Sequence, residues 1–449
     1  MKKYSSSVIV LFFVIGIFFI SCQSDDNPVS YEKASNQYTN IWMLEQMKKY
    51  YYWNEELPFF TNLSLNPKDY FEKLLNTDDR FSYAENPSDP ETAPKSIRNT
   101  YGFDISFVEY NGQAFGVVLF VLTDSPAQRN GLKRGQFIKS INGITVSHHN
   151  FENLYKELTA SGNVQLELVE YSSATGFSAI KNVELIRSFT FSQPIKYKVM
   201  LSDNQKAGYV EIPHFDVGLA ATFLRIFKEF QNESVTKVII DLRYNGGGDV
   251  SSAAALSIIL APNIKPDDLF IKFKGNKNGG LVNKTFKEAL EMNESQVNYE
   301  ALRAAHPAIQ EVYVLSGNHT ASASEIIINN LTPYMNVIVI GDKTTGKDAA
   351  GFAIEDNRIA DKRGWVLYPV IYKLFNARNE GNYTSGISPT IELNELQEME
   401  VFPLGDIRET LLNLALNGGN RVKSKRDSTV KNLILNKNYI VTDPFLKIY

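Results

Sequence analysis

Ser322, in Asn318-His-Thr-Ala-Ser-Ala-Ser-Glu325, and Lys347, in Thr344-Thr-Gly-Lys347, fit by type and placement a nucleophile and its base. The serine lies where an apolar run, Val312 to Leu315, gives way to a helical pattern, Glu325 to Leu331. A hydroxyl at such a turn is exposed, and the first N–H groups of the helix are left to bind a developing oxyanion. The lysine follows a second apolar run, Val337 to Ile340, and a glycine turn, so both side chains project from the same edge of one sheet. A serine hydroxyl is a poor nucleophile until a base removes its proton, and a lysine does so only when neutral. The required fall in its pKa, from about 10.4 toward 7–8, disfavours the charged form by roughly 4 kcal/mol. Apolar burial supplies such a shift. Thr345, Gly346, Ala349 and Ala350 are suitably small and uncharged, but Asp348 must point away or it would hold the proton on. The expected oxyanion hole pairs the Ala323 N–H with that of Gly247 or Gly248 in Asn245-Gly-Gly-Gly248, where a missing Cβ lets the backbone approach the oxygen.

Each of these residues also has a plainer reading. Ser322 and Glu325 match a helix capping box, and a lysine in a polar turn is by default solvated. Neither explains a glycine-rich loop after another strand together with a lysine after a third. A phosphate loop is disfavoured because no Lys-Ser or Lys-Thr follows the glycines. A lipase or esterase is disfavoured by the lack of a Gly-x-Ser-x-Gly elbow. The five histidines, His148, His149, His214, His306 and His319, offer no triad partner, with His319 the nearest in sequence, and no cluster has metal-ligand spacing. No metal and no cofactor are expected.

Thr320-Ala-Ser-Ala-Ser-Glu325, the Gly346-Lys347 pair and Asp241-Leu-Arg-Tyr-Asn-Gly-Gly-Gly248 resemble, in this order, the motifs of the C-terminal processing (tail-specific) peptidases. The resemblance covers roughly Tyr101 to Pro389. It implies a serine endopeptidase acting through a Ser-Lys dyad and an acyl-enzyme, built on a layered, crotonase- or Clp-like α/β core, and it selects Ser322 over Ser324. One departure stands out. Members with a Ser-Lys-Gln arrangement carry an orienting glutamine four residues after the lysine, where this chain has Gly351. That departure sustains an alternative, a non-catalytic peptide- or ligand-binding lipoprotein on the same fold.

The elements that must position these residues imply a multidomain α/β protein. A chain of 449 residues with 43% hydrophobic and 12% aromatic residues is too long for one core and well suited to several. A net charge of -4 leaves no basic footprint for nucleic acid. Residues 1–21 read as a secretory signal, with Lys2-Lys3 before an apolar run from Val8 to Ile20. The lone cysteine, Cys22, follows directly in a lipobox-like Ile20-Ser21-Cys22, so lipidation is expected, with 22–37 as a polar tether. The implied location is the cell envelope, lipid-anchored to a membrane, on the outer membrane's periplasmic or surface side. Residues 38–97 read as a helical N-terminal domain, with Ile41, Leu44, Met47 and Tyr51 at helical spacing and Asn66-Pro67 opening a second helix. Residues 98–190 resemble a PDZ domain, with turns at Asp124-Ser-Pro-Ala127 and Asn142-Gly143 and a groove helix from Phe151 to Leu158. Such a groove adds an extended peptide as a strand and captures its free C-terminal carboxylate, here with Tyr101, Gly102 and Phe103 as the carboxylate loop. The partners expected are therefore proteins or peptides with free C-termini. Residues 191–417 alternate strands with helices and form the peptidase core, with the polar stretch 265–299 expected as a surface insertion, and 418–449 form a tail.

Overall fold

In the computed structural model, β-branched apolar runs alternating with amphipathic helices after residue 193 build a six-stranded sheet. Its strands lie in the order Lys196–Ser202, Gln205–Glu211, Lys237–Asp241, Glu311–Ser316, Asn336–Gly341 and Ile391–Glu392. The first two form an antiparallel pair and the rest run parallel. Parallel strands need crossovers, and helices Ala220–Asn232, Val250–Leu260 and Ala323–Leu331 provide them on one face. Val250–Leu260 is apolar nearly all round and is the buried centre of that layer, whereas Ala220–Asn232 turns only one stripe inward. Thr410–Leu416 covers the other face against Tyr209, Ile239 and Tyr313. The description covers residues 31–59, 62–188, 193–202, 205–293, 296–360, 364–419 and 430–433. The signal segment and Cys22 lie outside it.

The stretch 265–299 is not a mere surface insertion. Strands Leu269–Lys274 and Leu281–Thr285 pair antiparallel, the former also pairs with Tyr372–Phe375, and helix Phe286–Leu290 follows under a Thr285–Glu288 capping box. Phe270, Ile271, Phe286 and Leu290 are buried in the main core, while the lysines and asparagines between them face outward and give the stretch its polar composition.

Before the core lie two smaller units. Strands Phe103–Tyr110, Gln113–Val121, Phe137–Ile141, Asn163–Val169 and Lys181–Ile186 form an antiparallel sheet, and helix Phe151–Ala160 closes a core of Phe103, Phe107, Ile138, Leu158 and Leu166. The outer edge of Phe103–Tyr110 is paired by Val430–Leu433 of the tail. Helices Asn36–Tyr50 and Pro67–Leu74, the second capped by the Asn66 side chain, bury Trp42, Met43, Tyr51, Tyr70 and Phe71. The N-terminal unit is not wholly helical: its strand Tyr83–Glu85 pairs with Val366–Tyr368 of the core, which also carries Ile354–Glu355.

The β-rich unit meets the core through a buried ionic seam. Arg243 bonds Asp241 at 2.6 Å, Glu409 at 2.6 Å and Glu395 at 3.0 Å, while Arg134 of the β-rich unit reaches Glu395 at 2.7 Å. Tyr244 donates to Glu395 at 2.6 Å and Tyr209 to Asp241 at 2.7 Å. Asp241 is thus structural. A cavity of about 200 Å³ beside the seam is lined by Arg98, Phe120, Arg134, Glu211, Asp241 and Tyr244 among others, and by neither Ser322 nor Lys347.

Candidate active site

Three adjacent parallel strands place their carboxyl ends side by side, and each is followed by one part of the site. Lys237–Asp241 leads to Asn245–Gly248, Glu311–Ser316 to Ser322, and Asn336–Gly341 to Lys347. This is the edge at which open α/β sheets build their sites.

Ser322 stands at the strand-to-helix turn with φ 54° and ψ -115°, a positive-φ conformation that costs a non-glycine residue about 1–3 kcal/mol. An ordinary N-cap has extended backbone. The turn is held in this shape from both sides. The Ser322 N–H donates to Glu325 Oε2 at 2.9 Å, and the Ser322 carbonyl accepts the Ile326 N–H at 2.9 Å as the helix begins. Ser324, the other serine of the motif, is fully buried and donates to the Asn245 carbonyl at 3.1 Å, so it ties the turn to the glycine loop.

Asn245 is the second half of that tie. It is buried, its side-chain amide donates to the Ile212 carbonyl at 2.9 Å, its carbonyl accepts the Ala321 N–H at 3.1 Å, and its Oδ1 accepts the Gly247 N–H at 2.8 Å. The Gly247 N–H is therefore engaged. Its φ of +114° and the 2.6 Å that would separate an added Cβ from the Ser322 Cβ explain the glycine. No acceptor among the described residues engages the Gly248 or Ala323 N–H. His214 flanks Gly248: its Cε1 would lie 2.9 Å from a Cβ there, and its Nδ1 is 3.0 Å from Asp216.

Lys347 is 2% exposed. Its N–H donates to Glu325 Oε2 at 2.7 Å, and the neighbouring Gly346 N–H and Thr344 hydroxyl donate to Oε1 at 2.7 and 2.6 Å. One buried carboxylate thus joins the nucleophile turn to the lysine loop through four neutral donors. Burial pushes the Glu325 carboxyl up to about 7 from its ordinary 4.5, against the lowering effect of those hydrogen bonds. Asp348 points elsewhere, with its Oδ1 2.7 Å from Lys373. The backbone N–H groups of Ser322 and Lys347 both donate to Oε2 of this carboxylate, which brings the two residues together at one point. Position 351 is buried backbone without an amide side chain. His319 is turned toward the β-rich unit, 3.3 Å from Asp104 and against Tyr244, rather than toward Ser322.

The carboxylate loop falls at the end of helix Ile97–Tyr101. Tyr101 is buried with its hydroxyl on the Ser161 carbonyl at 2.9 Å, Gly102 takes the left-handed C-cap conformation, and Phe103 opens the strand that borders helix Phe151–Ala160. The Gly102 N–H donates to Arg98 at 2.9 Å and is not open to a ligand. Among the described residues no cluster of His, Cys, Asp and Glu is placed to hold a metal ion, and no helix is long and apolar enough to cross a membrane.

Residues 206–393 match the model of peptidase family S41, and residues 38–83 match that of the peptidase S41 N-terminal domain. The carboxy-terminal processing protease CtpB of Bacillus subtilis is 22% identical over 291 residues, 64% of this chain and 54% of the relative. A CtpA-like serine protease of Staphylococcus aureus is 23% identical over 281 residues, 62% of this chain and 50% of the relative. The chain thus spans about half the length of these curated relatives. The fold superposes on a Bacteroides fragilis protein described as an S41 protease with TM-score 0.67 and 26% identity, covering 87% of this chain and 98% of the other. It also superposes on the photosystem II D1 C-terminal processing protease, with TM-score 0.51, 18% identity and coverage of 86% and 98%. The glycine loop, the serine turn and the lysine loop all lie within the matched core, and the chain belongs to peptidase family S41, a family of serine-type peptidases.

Proposed function

We propose that this protein is a serine endopeptidase of the cell envelope that cleaves protein tails with Ser322 as nucleophile and Lys347 as general base. The observation that carries the reading is the Glu325 carboxylate, which holds a strained Ser322 turn and a buried Lys347 loop in one hydrogen-bonded unit beside two unengaged N–H groups. Neutral Lys347 takes the Ser322 hydroxyl proton as Oγ attacks the scissile carbonyl carbon. The tetrahedral oxyanion is met by the N–H groups of Ala323 and Gly248. On collapse the lysine ammonium returns its proton to the departing amine, leaving an acyl-serine. Water, deprotonated by the same lysine, then adds to the acyl carbon, and the ester breaks to free the new carboxyl-terminus and the serine.

In this reading the β-rich unit acts as a PDZ-like domain that receives protein or peptide C-termini along the Phe103–Tyr110 edge, with Tyr101, Gly102 and Phe103 at the carboxylate end. Cys22 carries the lipid that anchors the protein to the membrane. Cys22→Ala is expected to release mature protein from membranes into the soluble fraction, and unchanged retention would remove the anchor from the account. Labelling of Ser322 by an active-site serine reagent tests the enzyme reading. Label that follows Ser322 and disappears in Lys347→Ala supports a peptidase. A wild type that takes no label and hydrolyses no peptide would favour the binding protein that Gly351 alone suggests.

A further inference from the structure

Gly351 leaves open what orients Lys347, and the strongest unused contacts near it come from the N-terminal unit. The segment Asp79–Phe81 runs out of the helical pair onto the lysine loop. A terminal nitrogen of Arg80 donates at 3.1 Å to each of the Thr345, Gly346 and Thr384 carbonyls. It thereby staples two loops where they touch, since a Cβ on Gly346 would come within 2.4 Å of the Thr384 carbonyl. The next residue, Phe81, is 8% exposed, and its ring centroid lies 5.5 Å from Lys347 Nζ. Ala349 and Val370 complete the apolar cluster around that ring, with Tyr52 and Trp53 packed on it.

The segment is itself fixed. Asp79 accepts the N–H groups of Phe81 and Ser82 at 2.9 and 3.0 Å and the Tyr51 hydroxyl at 2.8 Å. The Ser82 hydroxyl accepts the Val370 N–H at 2.7 Å, and the Tyr52 N–H donates to the Val370 carbonyl at 2.8 Å. The charged and titratable groups packed around the lysine are Glu325 on the serine helix, Asp348 beside it with Lys373 on Asp348, Arg80 and Tyr52 from the N-terminal unit, and Tyr383, whose buried hydroxyl senses Glu325 and Asp348. Glu325 and Asp348 are each already engaged, by four neutral donors and by Lys373. At 5.5 Å the ring is near the outer limit of cation–π attraction, about 6 Å. Its main effect on the amine is to exclude water.

We propose that Arg80 and Phe81 are positioning residues for Lys347: the N-terminal unit supplies the staple and the apolar cover that a side chain at position 351 does not. This rests on the Ser322–Lys347 reading and adds to it a requirement for the N-terminal unit at the base. Removing the cover admits water to the amine and strengthens its hold on the proton. Loosening the staple moves the loop that carries it.

The test uses the full chain and reads the rate of fluorophosphonate labelling of Ser322 against pH, for wild type and for Phe81→Leu, Phe81→Ala, Arg80→Ala and Lys347→Ala, with thermal melting as the check of folding. Phe81→Leu, still apolar, is expected to keep the wild-type acid limb. Phe81→Ala is expected to move that limb up by about one pH unit, and Arg80→Ala to lower the plateau about tenfold and move the limb in the same direction. If Phe81→Ala does not fold, Arg80→Ala decides, because it alters an exposed residue and leaves no core cavity. An acid limb that stays in place while the plateau falls would reduce both residues to general structural support and overturn the proposal. Labelling of Lys347→Ala at the wild-type rate would instead overturn the dyad itself, whatever Phe81 and Arg80 do.

Discussion

Two buried polar constellations lie within this core and solve opposite problems. Around Arg243, full charges meet full charges: Arg134 and Arg243 face Asp241, Glu395 and Glu409, and although burial opposes ionisation, the two guanidiniums hold Glu395 below the usual carboxylate range. Around Glu325 the hydrogen-bond partners among the described residues are neutral. Four neutral donors surround it, and burial lifts it to about 7. The first arrangement is insensitive to protons near neutrality and joins units. The second ties the serine turn to the lysine loop through a carboxylate held close to its titration point, so the tie itself is sensitive to protons near neutrality. A substitution in one constellation should therefore leave the other's readout in place.

The largest effects belong to the dyad. Ser322→Ala and Lys347→Ala are each expected to lower peptide hydrolysis by more than about 10⁴-fold with folding intact, and the double variant to be no worse than either, because in the proposed mechanism the two residues share a step. Lys347→Arg should be equally inactive, since a guanidinium stays protonated. Hydrolysis assays with thermal melting as control measure this. Activity retained in Lys347→Ala but lost in His319→Ala would replace the dyad with a Ser-His pair.

Next is Glu325→Gln, which puts an amide donor against at least one N–H that now has an acceptor. A loss of about 10²- to 10³-fold in kcat with KM little changed is expected, comparable to losing one preorganised hydrogen bond at a reacting group. The wild type carries a pH signature as well. Because the folded pKa of about 7 lies above the ordinary 4.5, the folded state binds the extra proton in that window. The stabilisation from Glu325 is therefore complete below about pH 4.5 and is lost as pH rises through 7. Activity should rise over the same range as Glu325 loses its proton and its carboxylate accepts the N–H groups of both loops in full. Melting temperature and rate thus move in opposite directions, and Glu325→Gln should flatten this contribution to the melting curve. A wild-type melting profile that the substitution does not change between pH 5 and 8 would show that Glu325 does not titrate there.

Glu395→Ala attacks the other constellation. It leaves Arg134 and Arg243 short of a carboxylate in a buried seam, and a loss of about 3–5 kcal/mol is expected. The sign with pH is the reverse of Glu325's: the folded pKa is depressed, so Glu395 stabilises above its unfolded pKa and that contribution is lost as acid protonates it. Chemical denaturation measures the loss. Ser322 labelling per folded molecule should change little, and a labelling defect as large as that of Glu325→Gln would mean that the two constellations are one system.

What was legible in the sequence follows from the distance over which each signal acts. Ser322, Lys347 and the glycine loop lie just after apolar strand runs, so their common edge can be read from local pattern, and Asp348's need to turn away follows from charge alone. Glu325 was visible only as a helix cap, because its bonds to Thr344, Gly346 and Lys347 depend on a strand pairing some twenty residues away. Asn245's several bonds leave no mark in the sequence beyond its place before three glycines. Arg80 and Phe81 reach the lysine across more than 260 residues and no periodicity announces them. The stretch 265–299 misled because its outward lysines and asparagines outnumber the buried Phe270, Ile271 and Phe286 on the opposite face.

The smallest expected effect concerns the tail. Val430–Leu433 pairs antiparallel with Tyr110 to Phe107, Val430 opposite Tyr110 and Leu433 opposite Phe107. Its carboxyl-terminal direction therefore points toward Phe103 and Gly102, the polarity that a captured C-terminus would have on the same edge. A four-residue strand tethered to its own sheet competes with an incoming peptide, but weakly, because few hydrogen bonds hold it and its tether is long. Truncation after Gly419 is expected to tighten binding of a peptide with a free carboxylate by about 3- to 10-fold, a change of roughly 1 kcal/mol. The amidated twin of that peptide should bind less tightly to both forms. Isothermal titration measures the two peptides side by side. Equal affinity for the free and amidated forms would remove carboxylate capture from the β-rich unit. A truncated protein that binds no better than the full chain would mean that the tail strand does not contest the groove.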